Sequence, residues 1–348
     1  MTIRNTVSAL LLAVAIVASA QADTIALNPN HPERYVVVKG DTLWDISARF
    51  LRDPWKWPDV WEMNPQIKNP HLIYPGDVIT LTFREGKPVL KVERGPAQRP
   101  LVKMTPQVRV TTLERPVPTV PTDAIEQFLI KAQVVTPEES ENSGYILSME
   151  EERLIGGTGN KLYARNVKQH AGGRFEVVRL GKVYRNPGAD EDDVLGYEAL
   201  HIADARVEAY GDPSTLTIVQ SSREALIGDR LLPAQDEGVI NYNFIPSAPD
   251  KPVEGKIIAL FDAVSRVGQY QVVVLNQGLN EGLQPGHVLA IYRAGEVVRD
   301  TVGNDEKVTL PDTRSGVLMV FRVFAKVSYG LVMTATRDVR LYDMVRNP

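Results

Sequence analysis

The sequence predicts an α+β protein: a small βααβ module, a Pro-rich basic linker, and two mainly-β, barrel-like repeats. Three observations carry this. Residues 35–81 alternate strand-like and helix-like patterns between turn signals. Seven prolines then fall between Arg84 and Pro121. Beyond Thr122 the chain is dominated by β-branched and aromatic runs bounded by Gly, Pro and Asp.

The chain has 348 residues, of which 43% are hydrophobic, enough for two or three domains with cores of their own. A net charge of −4 and the absence of nucleic-acid motifs give no pull toward nucleic acid. The first 22 residues read as a secretory signal: Arg4 near the amino terminus, an apolar run from Val7 to Val17, and small residues at Ala18, Ala20 and Ala22. Cleavage is expected after Ala22, with Ala20 as the alternative. No later segment has the length and apolarity of a spanning helix. The chain has no cysteine, which excludes a lipidated cysteine, disulfides and thiol catalysis. The predicted location is therefore the periplasm or cell envelope, without a lipoprotein anchor.

Residues 23–33 read as a short polar leader. Tyr35 to Val38 is a β-branched strand and Gly40-Asp41 a turn. Thr42 caps a helix from Leu43 to Leu51, with Asp45 as a capping-box-like partner. Leu43, Ile46 and Phe50 share one face. Asp53-Pro54 breaks this helix. Pro58 suits the first position of a second helix, which turns Val60 and Trp61 inward and ends at Asn64-Pro65. Tyr74-Pro75-Gly76-Asp77 is a turn needing positive φ at glycine, and Val78 to Leu81 is the closing strand.

The domain assignment is 34–82 for this module, 83–121 for the linker, 122–235 for a helix plus the first β-rich unit, and 252–348 for the second. Within the linker, fixed φ and missing amide donors favour an extended connector, although Pro88 to Glu93 and Gln107 to Thr112 also suit edge strands. Asp123 to Lys131 has helical spacing, with Ile125, Phe128 and Leu129 on one face. Strands are expected at Phe175–Leu180, Leu216–Gln220, Lys256–Leu260, Tyr270–Asn276, Val288–Tyr292 and Val317–Phe324. The β-rich half reads as a duplication of one unit, roughly 153–234 and 253–348. The matches are Val183-Tyr184-Arg185 on Ile291-Tyr292-Arg293, Gly196 to Val207 on Gly316 to Val327, and Leu216 to Leu231 on Gly330 to Val345. The last match puts Asp229 on Asp343. A linker, Pro246 to Pro252, separates the copies.

The run Tyr35-Val-Val-Val-Lys39-Gly40-Asp41-Thr42-Leu43-Trp44-Asp45-Ile46, followed by Asn64 and by Leu72-Ile73-Tyr74-Pro75-Gly76-Asp77-Val78-Ile79, resembles a complete LysM domain. Two separated motifs agree at the right distance, over about a seventh of the chain. The resemblance implies binding of N-acetylglucosamine-containing glycans in a shallow groove, and in a bacterial envelope setting the glycan strands of peptidoglycan. Carried onto this sequence, one wall is Gly40, Asp41, Thr42 and Leu43, with Trp44 beside it. The other is Asn69, Pro70, Leu72 and Ile73. An acetamido group needs backbone donors and acceptors in fixed directions and an apolar seat for its methyl. Leu43, Leu72 and Ile73 are the expected seat. All four tryptophans (Trp44, Trp55, Trp57 and Trp61) fall in this module. Trp55, Trp57 and Trp61 are read as core, because a small domain needs large side chains to build one.

Enzymatic signatures are absent. His31, His71, His170, His201 and His287 are isolated, with no zinc-ligand spacing. The acidic runs Glu138-Glu139, Glu150 to Glu152 and Asp190 to Asp193 read as solvated clusters. Gly156-Gly157-Thr158-Gly159 lacks the lysine of a phosphate loop. No catalytic residue, metal or cofactor is assigned. Asn276 to Leu289 is a turn-rich hairpin and strand that resembles hairpins in small barrels of exported and basal-body assembly proteins. The leading expectation is a non-catalytic glycan-binding envelope protein that anchors or scaffolds other components, with an envelope protein as partner for the β units. Two alternatives stand beside it: a LysM-targeted wall hydrolase with an unrecognised carboxylate site, and a component of a flagellar or secretion apparatus.

Overall fold

The computed structural model describes residues 25–61, 73–93, 118–121, 124, 125, 128, 132–188, 190, 193–234, 244–261, 265–302 and 305–348. The expected signal, the end of the second helix, His71, the wall residues Asn69, Pro70 and Leu72, and the Gln107–Thr112 strand lie outside these residues. The chain forms two compact units, 1–115 and 116–348.

The first unit contains β1 (Arg34–Val36), α1 (Leu43–Phe50), a 3-10 turn (Pro54–Lys56), α2 (Trp57–Trp61) and β2 (Val78–Arg84). This is the expected βααβ order. β1 and β2 pair antiparallel with Tyr35 opposite Ile79. Thr42 caps α1 as the sequence requires: its hydroxyl accepts from the Asp45 amide at 3.1 Å and donates to the Asp45 carboxylate at 2.7 Å. Leu43, Trp44, Ile46 and Phe50 are buried along α1, and Trp57, Val60 and Trp61 along α2. Trp57 and Trp61 meet edge to face, centroids 6.3 Å apart. The leader is part of the module: Leu27 bridges Leu51, the Asn28 amide donates to Phe50 O at 2.9 Å, and the Arg52 amide donates to Ala26 O at 2.9 Å.

A further strand, β3 (Lys87–Glu93), pairs along all of β2, from Val78 opposite Glu93 to Arg84 opposite Lys87. Seven residues of the expected connector are thus sheet, the edge-strand option for Pro88 to Glu93. The hairpin turns at Glu85-Gly86 with φ of +52° and +79°, the backbone that matches strand twist in a two-residue loop. Leu90 is fully buried by the pairing.

The second unit holds two closed six-stranded barrels. β4 (Ala132–Val135) precedes them, followed by α3 (Pro137–Asn142). The first barrel uses β5 (Gly144–Met149), β7 (Lys161–Arg165), β8 (Arg174–Arg185), β9 (Val194–Ala209), β10 (Ser214–Ser221) and β12 (Arg230–Pro233). The order β10-β7-β5-β12-β8-β9 closes through β9–β10, and β4 adds to β9. Two short strands, β6 (Ile155–Gly156) and β11 (Ala225–Leu226), pair with each other. The second barrel uses β13 (Glu254–Leu260), β15 (Val272–Leu275), β16 (Val288–Arg293), β19 (Thr313–Val323), β20 (Ser328–Ala335) and β22 (Met344–Arg346), closed in the order β13-β15-β20-β19-β16-β22. Its short pair is β14 (Arg266–Val267) with β21 (Val339–Arg340). An exposed hairpin, β17 (Val297–Arg299) with β18 (Lys307–Thr309), is inserted between β16 and β19. Each barrel encloses its own apolar core, centred on Ile146, Val177, Ile202 and Leu231 in the first and on Ile257, Ile291, Leu318 and Val345 in the second. Closure removes the exposed edges that short strands otherwise leave.

The two rings have the same connectivity strand for strand, and the Leu216–Leu231 match to Gly330–Val345 holds. The other two matches are overturned. Val177 lies opposite Leu231 as Ile291 lies opposite Val345, so Ile291 corresponds to Val177 and not to Val183. Ala203 faces Val177 as Gly316 faces Ile291, so Gly316 corresponds to Ala203 and not to Gly196. The β8–β9 and β16–β19 hairpins carry several register shifts and loops of different length. Short β-branched motifs therefore align by chance a few residues out of register.

The barrels pack together. Ala124, Ile125 and Phe128 have helical backbone, as expected, and Ile125 and Phe128 are buried. Phe128 lies edge to face on Phe261 of the second barrel at 4.7 Å, and its carbonyl accepts from the Arg322 guanidinium at 2.8 Å. Asn276 donates to Asn186 across the seam at 2.7 Å.

Candidate functional site

The turn after β1 is closed by one carboxylate. Asp41 Oδ2 accepts from the Tyr35 hydroxyl and from the Val38 amide, both at 2.9 Å, and the Asp41 amide donates to Val38 O at 3.2 Å. Gly40 sits in this turn at φ +97° with open space around it. The Arg49 guanidinium covers the Tyr35 ring at 4.3 Å. Burial, then Asp41, raises the Tyr35 phenol above its ordinary value.

The second turn is fixed the same way. Asp77 Oδ2 accepts from the Tyr74 amide at 3.0 Å, the Asp77 amide donates to Tyr74 O at 3.0 Å, and Gly76 has φ +96°. Both turns meet at Val37. Its amide donates to Asp77 O at 2.9 Å, and its carbonyl accepts from the Gly76 amide at 2.8 Å. The 37–43 and 73–77 segments, forty residues apart in sequence, are thus held side by side.

The expected apolar seat needs correction. Leu43, Trp44 and Ile73 are 1%, 1% and 0% exposed; their side chains are core and offer no surface to a sugar. Thr42 is buried by its capping bond. What the loop presents is Val38 (53% exposed), Lys39, Gly40 and part of Asp41, with their backbone groups. Asn69, Pro70 and Leu72 lie outside the described residues. Among the tryptophans, Trp57 and Trp61 are core as expected, while Trp55 is half-buried beside Lys56. Two contributors escaped the sequence reading, the leader and the Tyr35–Asp41 bond. An aromatic hydroxyl followed six residues later by an aspartate in a turn was the available signal for the bond.

Among the described residues no group of three or more His, Asp or Glu is placed to hold a metal. His287 is buried and structural: its Nδ1 faces the Gln284 amide at 3.2 Å. His201 Nε2 lies 3.2 Å from Asp204 Oδ1. The acidic runs are surface features where described: Glu139 completes the capping box of α3, and Glu151 pairs with Arg153. The carboxylates with the most suggestive placement were not in those runs. Glu176 and Asp204 stand directly opposite on β8 and β9. Glu176 accepts from Gln133 at 2.5 Å, and burial raises its carboxyl above the ordinary value. No helix among the described residues is long and apolar enough to cross a membrane.

Comparison with known proteins agrees with this geometry. The family described as LysM domain matches residues 35–82. An uncharacterized protein of Bacillus subtilis (strain 168), YqbP, is 37% identical over 60 residues, covering 14% of this chain and 27% of that protein. The likeness thus spans about a quarter of the relative's length. LysM modules bind N-acetylglucosamine-containing glycans such as peptidoglycan and occur typically in proteins outside the cytoplasm. This chain is a LysM domain-containing protein.

Proposed function

We propose that the protein is a non-catalytic peptidoglycan-binding protein of the bacterial periplasm or cell envelope, in which the LysM module grips glycan strands and the twin barrels engage other envelope components. The observation that supports this reading is the pairing of the 37–43 and 73–77 segments through Val37, next to which Val38, Lys39 and Gly40 are exposed. In this reading the glycan is held by backbone N–H and C=O groups of residues 38–41 and by the Asn69–Leu72 wall. Leu43, Trp44 and Ile73 support the groove from beneath. A single module of this kind binds modestly, and a second contact through the barrels raises retention by avidity. The first 22 residues act as the export signal, and the cysteine-free sequence favours a mature protein without a lipid anchor.

Titration of N-acetylglucosamine oligomers into the purified protein, followed by calorimetry, tests the binding. Saturable binding that lengthens with oligomer size supports it. Heat indistinguishable from dilution contradicts it.

One observation favours the hydrolase alternative: the cross-strand pair Glu176 and Asp204, one of them held in a more proton-retaining state by burial. Purified sacculi incubated with the protein decide between the two. Release of soluble fragments that stops in Glu176→Gln supports the hydrolase. Intact sacculi support the binding protein.

A further inference from the structure

The duplicated barrels differ at one matched place. Each carries a short two-stranded ribbon, β6 with β11 in the first and β14 with β21 in the second. The inward positions are alike: Gly156 and Ala225 are buried in one, Val267 and Val339 in the other. The outward positions are not. Ile155 stands opposite Leu226, and at the corresponding place Arg266 stands opposite Arg340. One frame thus presents an aliphatic surface in the first barrel and a cationic one in the second.

The aliphatic surface is wider than its ribbon. Leu154 is 78% exposed, Ile155 54% and Ile227 53%. Leu147, also exposed, is brought beside Ile227 by the Gly228 amide, which donates to Ile146 O at 2.9 Å. Closure does not require these side chains outside, since the second barrel closes in the same order with arginines there. A cluster of large aliphatics in water marks a surface that another molecule covers.

The charges around the two ribbons differ as well. Arg223-Glu224 of the first barrel recurs as Arg337-Asp338 of the second. Beyond that shared pair, the first ribbon has exposed Glu150 beside it, with no ion pair among the described residues. Glu151 is paired with Arg153 at 2.6 Å. At the second ribbon, the guanidinia of Arg266, Arg293 and Arg340 share the Asp338 carboxylate, at 3.4, 2.9 and 2.8 Å. Ile155 and Arg266 are both exposed in one chain, so the two surfaces do not meet within it.

We propose that the two ribbons join copies of this chain head to tail, the Ile155–Leu226 ribbon of one copy against the Arg266–Arg340 ribbon of the next. The aliphatic stems of the arginines cover Leu154 and Ile155, and their guanidinia reach Glu150 and Glu224. Two aliphatic ribbons joined about a twofold axis would bring the acidic margins of both copies together, so the charges select the unlike pair. Because the joined surfaces differ, the assembly stays open at both ends. The ribbons are small and each contact is weak. The contact does not depend on glycan binding. Its consequence, LysM modules multiplied along one polymer, rests on that reading.

Sedimentation velocity of the purified protein from about 1 to about 100 µM tests this with two variants whose folding is checked by circular dichroism. Ile155→Arg/Leu226→Arg gives the first ribbon the side chains that the second already carries. Arg266→Ala/Arg340→Ala removes the cationic ribbon. Leu154→Glu, at an exposed position outside the ribbon strands, is a second disruption of the aliphatic surface. Wild type is expected to grow past the dimer with concentration and to shrink as salt is raised. Each variant alone is expected to associate at least about tenfold more weakly. Equal amounts of the two double variants are expected to form dimers and nothing larger, because one intact ribbon of each kind remains. Wild type that stays monomeric overturns the proposal. A wild-type dimer that never grows also overturns it, and so does a mixture of the two folded variants that stays monomeric. No sugar is present in these measurements, so failure here leaves the glycan reading to its own titration.

Discussion

Arg179 and Asp229 form a two-pronged ion pair in the first barrel, with Nε–Oδ1 at 2.8 Å and Nη2–Oδ2 at 2.9 Å. Asp229 is buried and also takes the Leu226 amide at 2.8 Å, while Arg179 donates to Glu224 O at 2.9 Å. The second barrel repeats the frame with a changed pairing. Asp343 takes the Arg340 amide at 2.9 Å as Asp229 takes Leu226. Arg293, the counterpart of Arg179, instead reaches Asp338, by carboxylate at 2.9 Å and by carbonyl. Arg340 and then Arg293 hold the Asp338 carboxyl well below the ordinary range.

The exchange of partners predicts unequal costs. Asp229→Ala leaves a partly buried guanidinium and a turn amide without their acceptor, costing roughly 2–3 kcal/mol. Asp343→Ala removes the turn bond alone and costs roughly 1 kcal/mol. Urea denaturation of the two variants measures the difference, and equal costs would show that the pairing does not matter.

Gly76 is held at φ +96°, a region where a Cβ costs roughly 1–2 kcal/mol. Gly76→Ala is expected to destabilise the LysM module by that amount, lowering its unfolding midpoint, and to leave the barrels unchanged. Calorimetry that resolves the two compact units reads this directly.

Asp41 organises the exposed turn through Tyr35 and Val38. Asp41→Ala is expected to weaken glycan binding about tenfold, equivalent to roughly 1.4 kcal/mol, with near-normal helicity. Asp41→Asn retains an acceptor and should fall between. Binding unchanged in both would place the ligand away from this turn.

His287 carries a pH dependence of stability. Burial lowers its pKa below the ordinary 6.5, opposed by Asp250. The neutral ring is the folded form, with Nδ1 accepting from the Gln284 amide. The stabilisation is therefore complete above pH 6.5 and is lost as pH falls through the lower folded-state value. His287→Asn supplies an acceptor that does not titrate. Its thermal midpoint should decline less than that of the wild type between pH 7 and pH 5, and parallel declines would assign the titration elsewhere.

The LysM module was legible because its signals are local. Thr42 and Asp45 mark a helix start, Gly76 marks a turn, and both act as read. Burial was less legible. Leu43 and Ile73 are apolar residues beside a predicted groove, and only the packing shows that the core claims them. The β3 hairpin was obscured by Pro88, whose missing amide is tolerated on an edge strand. In the barrels the duplication showed in the turn residues around Asp229 and Asp343. Its register did not, because bulges in β8–β9 and the inserted β17–β18 hairpin displace similar motifs. The Glu176–Asp204 pairing is a consequence of that register and could not be read before it was known.

The central claim is that the turn at Val38–Asp41 is the wall of a glycan groove. Sedimentation of the protein with purified sacculi tests it most directly, comparing the wild type with Gly40→Trp and with Val38→Asp, which changes an exposed side chain without straining the backbone. The wild type is expected to pellet with the sacculi, and both folded variants are expected to stay in the supernatant. Wild type left in the supernatant, or variants that pellet equally well, would contradict it.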